Sequence, residues 1–571
     1  MIATAIPKTT DTSIHHLDDI LEDLAQRRDA WANLAVPQIL DLLEQLEKTL
    51  PPIYQPMVNA GAAHKDIDPK SDLALEEWGT PLVMGVHIKQ LKMSFEEILE
   101  HGSPQITNDF VKRPDNRLSL EVNPRGLLNK LLFPNDKGEI WFKPNVTEEQ
   151  IRAGVARPYH EKQQGKTTLV LGAGNIGTLI PGDFLYKLFI ERQVVIVKMN
   201  PVNEYLGPLL EEGYAPLIDA GYLRIVYGGV DVAQYLIHHE LVDELHITGS
   251  DSTYEAIVFG TGEAGQLRKQ QGERIVTKRF TSELGNVTPV IIYPDGWSQT
   301  DIERVANAIV AQHAGNAGHY CLTARLVVMQ ENWKHRDAFI DAMDKAYRRL
   351  PDRKSYYPRV EERRDEFLAH YPDARQYGNG NLPWTFAVDV DSTDVDAPAF
   401  KLETFCGILS EVGLSGQSPE AFLRHAVEFV NDHVWGTLTA SLIVPTDYET
   451  HDAVEQAIAD LRYGSVILNG FGANGYGAVP LTWGGHSGST PQDIQSGIGV
   501  VNNVLMFDED HIQKSVLRLP FKSLKSQIDF EKEQGLVNLL APLSHTIMQP
   551  TPKHIGQVMW QFVRMATGRN N

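Results

Sequence analysis

Two side chains set the chemical question. Cys321 closes a stretch of mostly small residues, Asn316-Ala317-Gly318-His319-Tyr320-Cys321. Thirty-eight positions earlier, Glu283 opens Glu283-Leu284-Gly285-Asn286, a carboxylate on a Gly-punctuated turn. A thiol and a carboxylate are what a thiol-based covalent catalyst needs: a nucleophile, and a base able to activate a water. Each also has a plain structural reading. A lone cysteine is most often a small buried hydrophobe, which is the expectation for Cys406. Glu283 alone reads as an exposed turn acid or a helix-start carboxylate. A cysteine nucleophile of this kind calls for no metal.

The bulk properties narrow the setting. At 571 residues the chain exceeds one ordinary core, so two or three lobes are expected. The hydrophobic share of 42% and charged share of 22% are those of a soluble globular protein. A net charge of −22 without a clustered Lys/Arg run argues against a nucleic-acid partner. Two cysteines cannot build a disulfide framework, so a reducing compartment, the cytoplasm, is expected. The segment 1–17 carries no secretory pattern. The most apolar long run, 168–190, is interrupted by Asn175, Asp183 and Lys187 and does not read as a membrane span.

The elements that must position these groups follow in order. Apolar spacing predicts helices over 13–50, ended by Pro51-Pro52, and again over about 72–100. Short β-type runs at 127–133 and 139–142, parted by Pro134-Asn135-Asp136-Lys137-Gly138, suggest a hairpin. From Thr167 the pattern alternates: strand 168–171, helix 178–191, strand 194–197, helix 205–219, strand 223–226, helix 230–238, strand 244–247. That order implies a mostly parallel sheet with helices on both faces, a nucleotide-binding architecture. Strand 287–292, a helix over about 301–314 and strand 326–329 begin a second α/β lobe.

Gly172-Ala173-Gly174-Asn175-Ile176-Gly177 satisfies G-x-G-x-x-G between a strand and a helix, the dinucleotide fingerprint. That motif wants an acid at the end of the next strand. The chain has Lys198-Met199-Asn200-Pro201 there. A longer series of residues fits better: Asn175 and Lys198, twenty-three positions apart; Ile247-Thr248-Gly249-Ser250; Glu283-Leu284-Gly285; Asn316-x-Gly318-x-x-Cys321; Leu402-Glu403-Thr404-Phe405; Asn431-Asp432 with Gly436, Leu438 and Ala440; and Trp483-Gly484-Gly485 with Ser487-Gly488. In these seven stretches, in this order, the chain resembles the aldehyde dehydrogenase superfamily.

The resemblance implies an α/β fold with a Rossmann-type cofactor lobe (1–112 and 159–285), an α/β catalytic lobe (286–490), and a small bridging β-sheet (113–158 and 500–525, with a strand at Ser515–Leu519). A tail, 526–571, lies beyond the family's usual end, and the spacing of Ile555, Val558, Met559, Phe562 and Val563 makes it an amphipathic helix. The polar stretch 260–273 reads as an exposed insertion. By resemblance, Cys321 is the nucleophile, the Asn175 amide and the Cys321 N–H bind the oxyanion, and Glu283 is the hydrolytic base. Lys198, Gly249, Ser250, Glu403 and Phe405 border NAD or NADP, Lys198 at the adenine ribose and Glu403 at the nicotinamide ribose. Ser250 equally reads as an N-cap. Pro201 replaces the acid many relatives carry, and Glu204 follows three positions on, so NAD and NADP both stay open. The expected activity is oxidation of an aldehyde to a carboxylic acid in a homodimer or homotetramer. Two alternatives stand beside it: a CoA-acylating acyl-CoA reductase, to which the glycine-rich asparagine loop is also similar, and a non-catalytic cofactor-binding or scaffolding protein.

Overall fold

The computed structural model describes residues 9–126, 129–130, 135–380, 382–524 and 535–566. Two sheets organise them. The first has five parallel strands in the spatial order Leu223–Val226, Val194–Lys198, Thr167–Leu171, Glu244–Thr248, Arg279–Glu283. Thr167–Leu171 and Val194–Lys198 are buried along their whole length, as strands covered on both faces must be. Val195, Ile196 and Val197 are each fully buried, worth about 1.5–3 kcal/mol apiece in removed apolar surface.

Chain order and spatial order part at one place in this sheet. From Thr167–Leu171 the next two strands step one way, and Glu244–Thr248 then starts on the other side. That is a topological switch point, and in open α/β sheets ligands bind beyond the carboxyl ends of the strands at such a point. Leu171, Lys198, Thr248 and Glu283 all end strands at this edge. Glu283 is therefore the last residue of a strand rather than a turn residue.

The second sheet has eleven strands. Its centre is parallel: Ser465–Leu468, Thr439–Ile443, Thr288–Ile292, Ala324–Gln330 and Ile408–Leu414. Ile512–Arg518 joins it in parallel at Ser465–Leu468 and pairs antiparallel with Lys137–Phe142, then Leu118–Asn123 and Phe110–Lys112. The strands expected to bridge thus continue the same sheet as the parallel strands of the second lobe. The run expected at 127–133 lies almost wholly outside the described residues.

Helix Gln299–Ala314 crosses from Thr288–Ile292 to Ala324–Gln330, and a capping box of Ser298 and Asp301 sets its start. Its end matters more, because the following residues carry the thiol. In the cofactor lobe the helix expected over 178–191 is α-helical for Leu179–Leu185 and closes as a π-helix, Tyr186–Ile190. The one expected over 205–219 is broken at Tyr214, with prolines opening both pieces, Gly207–Gly213 and Ala215–Asp219. The long N-terminal helix Leu75–His101 ends on left-handed Gly102. Against it packs the tail helix Val537–Met548, joined to a last helix, Pro552–Ala566. The polar stretch expected as an insertion holds an exposed helix, Gly262–Gln271.

Candidate active site

The thiol is carried by a loop built under strain. After Gly315 ends the helix, Asn316, Ala317 and Gly318 all take left-handed conformations, with φ of 51°, 54° and 80°. For Ala317, with a Cβ and no polar side chain, this costs on the order of 1 kcal/mol or more. Gly318 has no alternative: a Cβ there would meet the Cys406 carbonyl carbon at 2.5 Å. The loop is held by a buried guanidinium. Arg325 donates to the carbonyl oxygens of Gly318, Tyr320 and Cys406 and to Thr404 Oγ1, at 3.1–3.2 Å. His319 is tied through Nδ1 to the Phe405 carbonyl (2.6 Å) and through Nε2 to Ser355 (3.2 Å).

Cys321 is partly buried, and its Sγ donates to Glu283 Oε1 at 3.3 Å. Burial pushes the thiol well above its ordinary range, and the negative charges of Glu283 and Glu403 push the same way. Glu283 is itself buried and raised to about 7, first by desolvation and next by the Asp183 carboxylate. The Trp483 indole faces this carboxyl group and pulls the other way, yet Glu283 Oε2 closes no hydrogen bond. The thiol and the carboxyl are in hydrogen-bond contact, the arrangement that direct proton transfer requires.

Asn175 reaches the same loop from the other sheet. Its amide nitrogen donates to the His319 carbonyl at 2.9 Å, and its own carbonyl accepts from Asn316 Nδ2 (3.1 Å) and Tyr356 OH (2.6 Å). One of its two amide N–H groups is thus fixed on the Cys321 loop and the second is left for another acceptor. The structure brings Cys321, Glu283 and Asn175 together.

The remaining expected residues line the carboxyl edge of the five-stranded sheet and the facing lobe. Lys198 ends its strand, nearly buried, and among the described residues no hydrogen bond or ion pair reaches its ammonium group. Desolvation lowers its pKa, while the charges of Glu204, Asp11 and Asp231 work against that. Ser250 Oγ accepts from Thr253 N at 3.1 Å and caps helix Asp251–Phe259, and Gly249 N donates to the Glu283 carbonyl. A Cβ on Gly249 would touch only Ile247, so this turn is open on its outer side. Glu403 accepts from Asn286 N at 3.0 Å and is raised to about 7, chiefly by desolvation. Gly285 makes room for it: a Cβ there would come within 2.1 Å of Glu403 Oε2. Phe405 is buried against Tyr357, also at a left-handed φ, 52°.

The G-x-G-x-x-G loop is packed from within the protein. Cβ atoms on Gly172, Gly174 and Gly177 would meet Ile180, Asn200 and Leu206 at 3.1, 2.7 and 2.8 Å. Those glycines admit protein side chains, and the loop presents Asn175.

Comparisons with known proteins bear on the fold. Residues 195–360 match the family model "Aldehyde dehydrogenase family". Over 90% of its length the chain superposes on an NAD-dependent aldehyde dehydrogenase from Sinorhizobium meliloti, covering 88% of that chain, with a TM-score of 0.60 and 16% identity. The fold is that of the aldehyde dehydrogenases. An NADP-dependent glyceraldehyde-3-phosphate dehydrogenase from Bacillus halodurans, solved with NADP, superposes on it as well (TM-score 0.59, 15% identity, 89% of this chain and 92% of that one). Among curated proteins, N-succinylglutamate 5-semialdehyde dehydrogenase of Sphingopyxis alaskensis is 27% identical over 185 residues, 32% of this chain. That match spans 34% of the relative's own length, about a third.

Within this aldehyde dehydrogenase fold, several residues around the site went unread in the sequence. Tyr356, His246 and the acidic start of helix Leu75–His101 reach partners at the site from 63 or more positions away, whereas the partners of Arg325 lie as near as five. Glu76 pairs with Arg353 at 2.9 Å, both half-buried, and takes the backbone N–H of Asn316. Asp183 had a visible signal: it is an acid in the most apolar run of the chain.

Proposed function

We propose that this chain is an NAD(P)-dependent aldehyde dehydrogenase, oxidising an aldehyde to a carboxylic acid through a thioester on Cys321. The observation that carries the reading is the 3.3 Å contact of Cys321 Sγ with Glu283, on a loop to which Asn175 is hydrogen-bonded. Glu283, poised near neutrality, takes the thiol proton, and the thiolate adds to the aldehyde carbonyl. The free Asn175 amide N–H and the Cys321 backbone N–H receive the oxyanion; losing one such donor costs roughly 100- to 1000-fold. A nicotinamide, when bound, supplies the hydride acceptor that leaves the acyl group on sulfur. Once Glu283 has passed its proton to solvent, it takes a proton from a water attacking the thioester, and the acid leaves.

The residues at the switch point fit a dinucleotide. Lys198, whose ammonium group has no hydrogen-bond or ion-pair partner among the described residues, suits ribose hydroxyls, Gly249 leaves its turn open, and Ser250 borders it while capping its helix. Glu403 faces the site from the other lobe beside Phe405 and suits the second ribose. Three carboxylates act on Lys198, which weighs against a 2′-phosphate and favours NAD. The exposed edge strand Phe110–Lys112, with Val111 46% exposed, supports a homo-oligomer joined there, and the two free cysteines suit a cytoplasmic setting.

The test is an aldehyde panel assayed with NAD and NADP, with and without CoA. Wild type is expected to form carboxylic acid without CoA, preferentially with NAD. Cys321→Ala loses turnover by about 10,000-fold or more. Glu283→Gln is expected to give at most one burst of reduced cofactor and then turn over roughly 100- to 10,000-fold slower. Product formed only with CoA would replace the hydrolytic reading with the acylating one. Normal turnover by Cys321→Ala would end both.

A further inference from the structure

Beneath Glu283 lies a second buried carboxylate that this mechanism does not use. Asp183, on helix Leu179–Leu185, is 1% exposed. Its Oδ2 accepts from Thr248 Oγ1 at 2.8 Å, and its Oδ1 lies 3.3 Å from His246 Nε2 without closing a hydrogen bond. Both partners stand on strand Glu244–Thr248, whose register sets Thr248 opposite Glu283 and His246 opposite Thr281. His246 Nδ1 is anchored in turn on Thr281 Oγ1 at 2.9 Å. Asp183 is thus fixed from the strand that neighbours Glu283, and one oxygen of each carboxyl group, Asp183 Oδ1 and Glu283 Oε2, is buried without a hydrogen bond. No arginine or lysine pairs with either among the described residues.

We propose that Asp183 is a positioning residue for catalysis: its charge, held in place by Thr248 and His246, decides at what pH Glu283 holds or gives up its proton. The inference rests on the reading of Glu283 as the base, and it deepens that reading. Two carboxylates confined together cannot both ionise freely, so one keeps its proton to higher pH than an exposed acid would. The other groups facing Glu283 do not supply this push. Trp483 and the Cys321 thiol act in the opposite sense, and Tyr476, which senses Asp183, Glu283 and Cys321, stays a neutral phenol because burial raises it far above its ordinary range. After desolvation, Asp183 is the second cause of Glu283's rise to about 7. An ordinary glutamate would be ionised near neutral pH but would be a weaker base toward the attacking water; Asp183 raises that basicity without entering the site.

The experiment follows the pH dependence of the slow steady-state phase in the full-length protein. In Asp183→Asn, and in Asp183→Ser should the first variant fold poorly, the midpoint of the rising acid limb is expected to move down by about one pH unit. Asp183→Glu, which restores the charge, should return it toward wild type. A lower rate with an unmoved midpoint in both neutral variants would reduce Asp183 to a packing role and overturn the proposal. A second readout needs no turnover: the infrared carbonyl band of protonated Glu283, identified by its loss in Glu283→Gln, titrates directly. Its midpoint should fall in Asp183→Asn, and an unchanged midpoint overturns the proposal. If wild type shows no Cys321-dependent turnover while this band still shifts with Asp183, the assignment of the reaction fails and the carboxylate coupling stands.

Discussion

Two buried carboxylates in this molecule meet opposite treatment. Glu139, on the strand Lys137–Phe142, accepts from Arg113 at 2.7 Å, from Arg518 at 3.0 Å and from the Trp141 indole at 2.8 Å. Arg518 goes on to grip Glu455 at 2.6 and 3.0 Å. Glu283 also has an indole beside it, but its other neighbours are a thiol and a second acid. In the first region each carboxylate is paired with arginine, so the cluster contributes architecture. In the second, no cation settles the proton, so it stays free to move at neutral pH. Burial alone makes neither a structural nor a chemical site; the charge of the neighbours decides.

The sharpest way to break the comparison is to unpair the first cluster. Arg518→Met leaves the buried Glu139 and the half-buried Glu455 with less compensation, and stability is expected to fall by about 3–5 kcal/mol in denaturant titrations. If the loss is below about 1 kcal/mol, the network is not holding the sheet junction. Glu283→Gln should behave in the opposite sense. The folded-state pKa of Glu283, about 7, lies above an ordinary glutamate's 4.5. Its contribution is therefore complete below about pH 4.5 and is lost as pH rises through 7. Glutamine carries no such loss, so at pH 8 the variant should be the more stable protein by up to about 3 kcal/mol, with the gap closing toward pH 5. A variant that is less stable at pH 8 would contradict the picture of a desolvated, unpaired carboxyl.

Much of the frame was legible in the sequence because it rests on local regularities. Apolar runs at 168–171 and 194–197 bounded by turn residues are buried parallel strands, and the order of the motifs placed Asn175, Glu283 and Cys321 in one fold. The surroundings of the site were hidden for a physical reason. Tyr356 and Asn175 are 181 positions apart, and Thr248 and Asp183 are 65 apart, so no spacing rule reports that they touch. The G-x-G-x-x-G match misled by itself, since glycine is demanded both by a phosphate and by a neighbouring side chain, and Asn200 occupies the space over Gly174. The left-handed run at Asn316 and Ala317 was equally unreadable, because Ala317 gives no hint of positive φ.

Between the two extremes lies a neutral contact, and it gives the finest measure of the contrast. Tyr356 OH donates to the Asn175 carbonyl at 2.6 Å and lies 3.1 Å from Asn316 Oδ1, while its ring sits under Lys65, 5.2 Å from the ammonium group. Tyr356→Phe keeps the ring and removes only the donor. The Asn175 carbonyl retains Asn316 Nδ2 while the buried Asn316 Oδ1 loses its hydrogen bond, and the stability cost is expected at about 1–2 kcal/mol, below that of Arg518→Met. The effect on rate should be of similar size, roughly fivefold in kcat, with little change in the midpoint of the pH profile, because a neutral hydroxyl aims Asn175 without carrying charge. A shift of that midpoint by half a unit or more would mean that Tyr356 belongs to the proton chemistry with Glu283 and Asp183, and the boundary drawn here between positioning by charge and positioning by hydrogen bond would have to move.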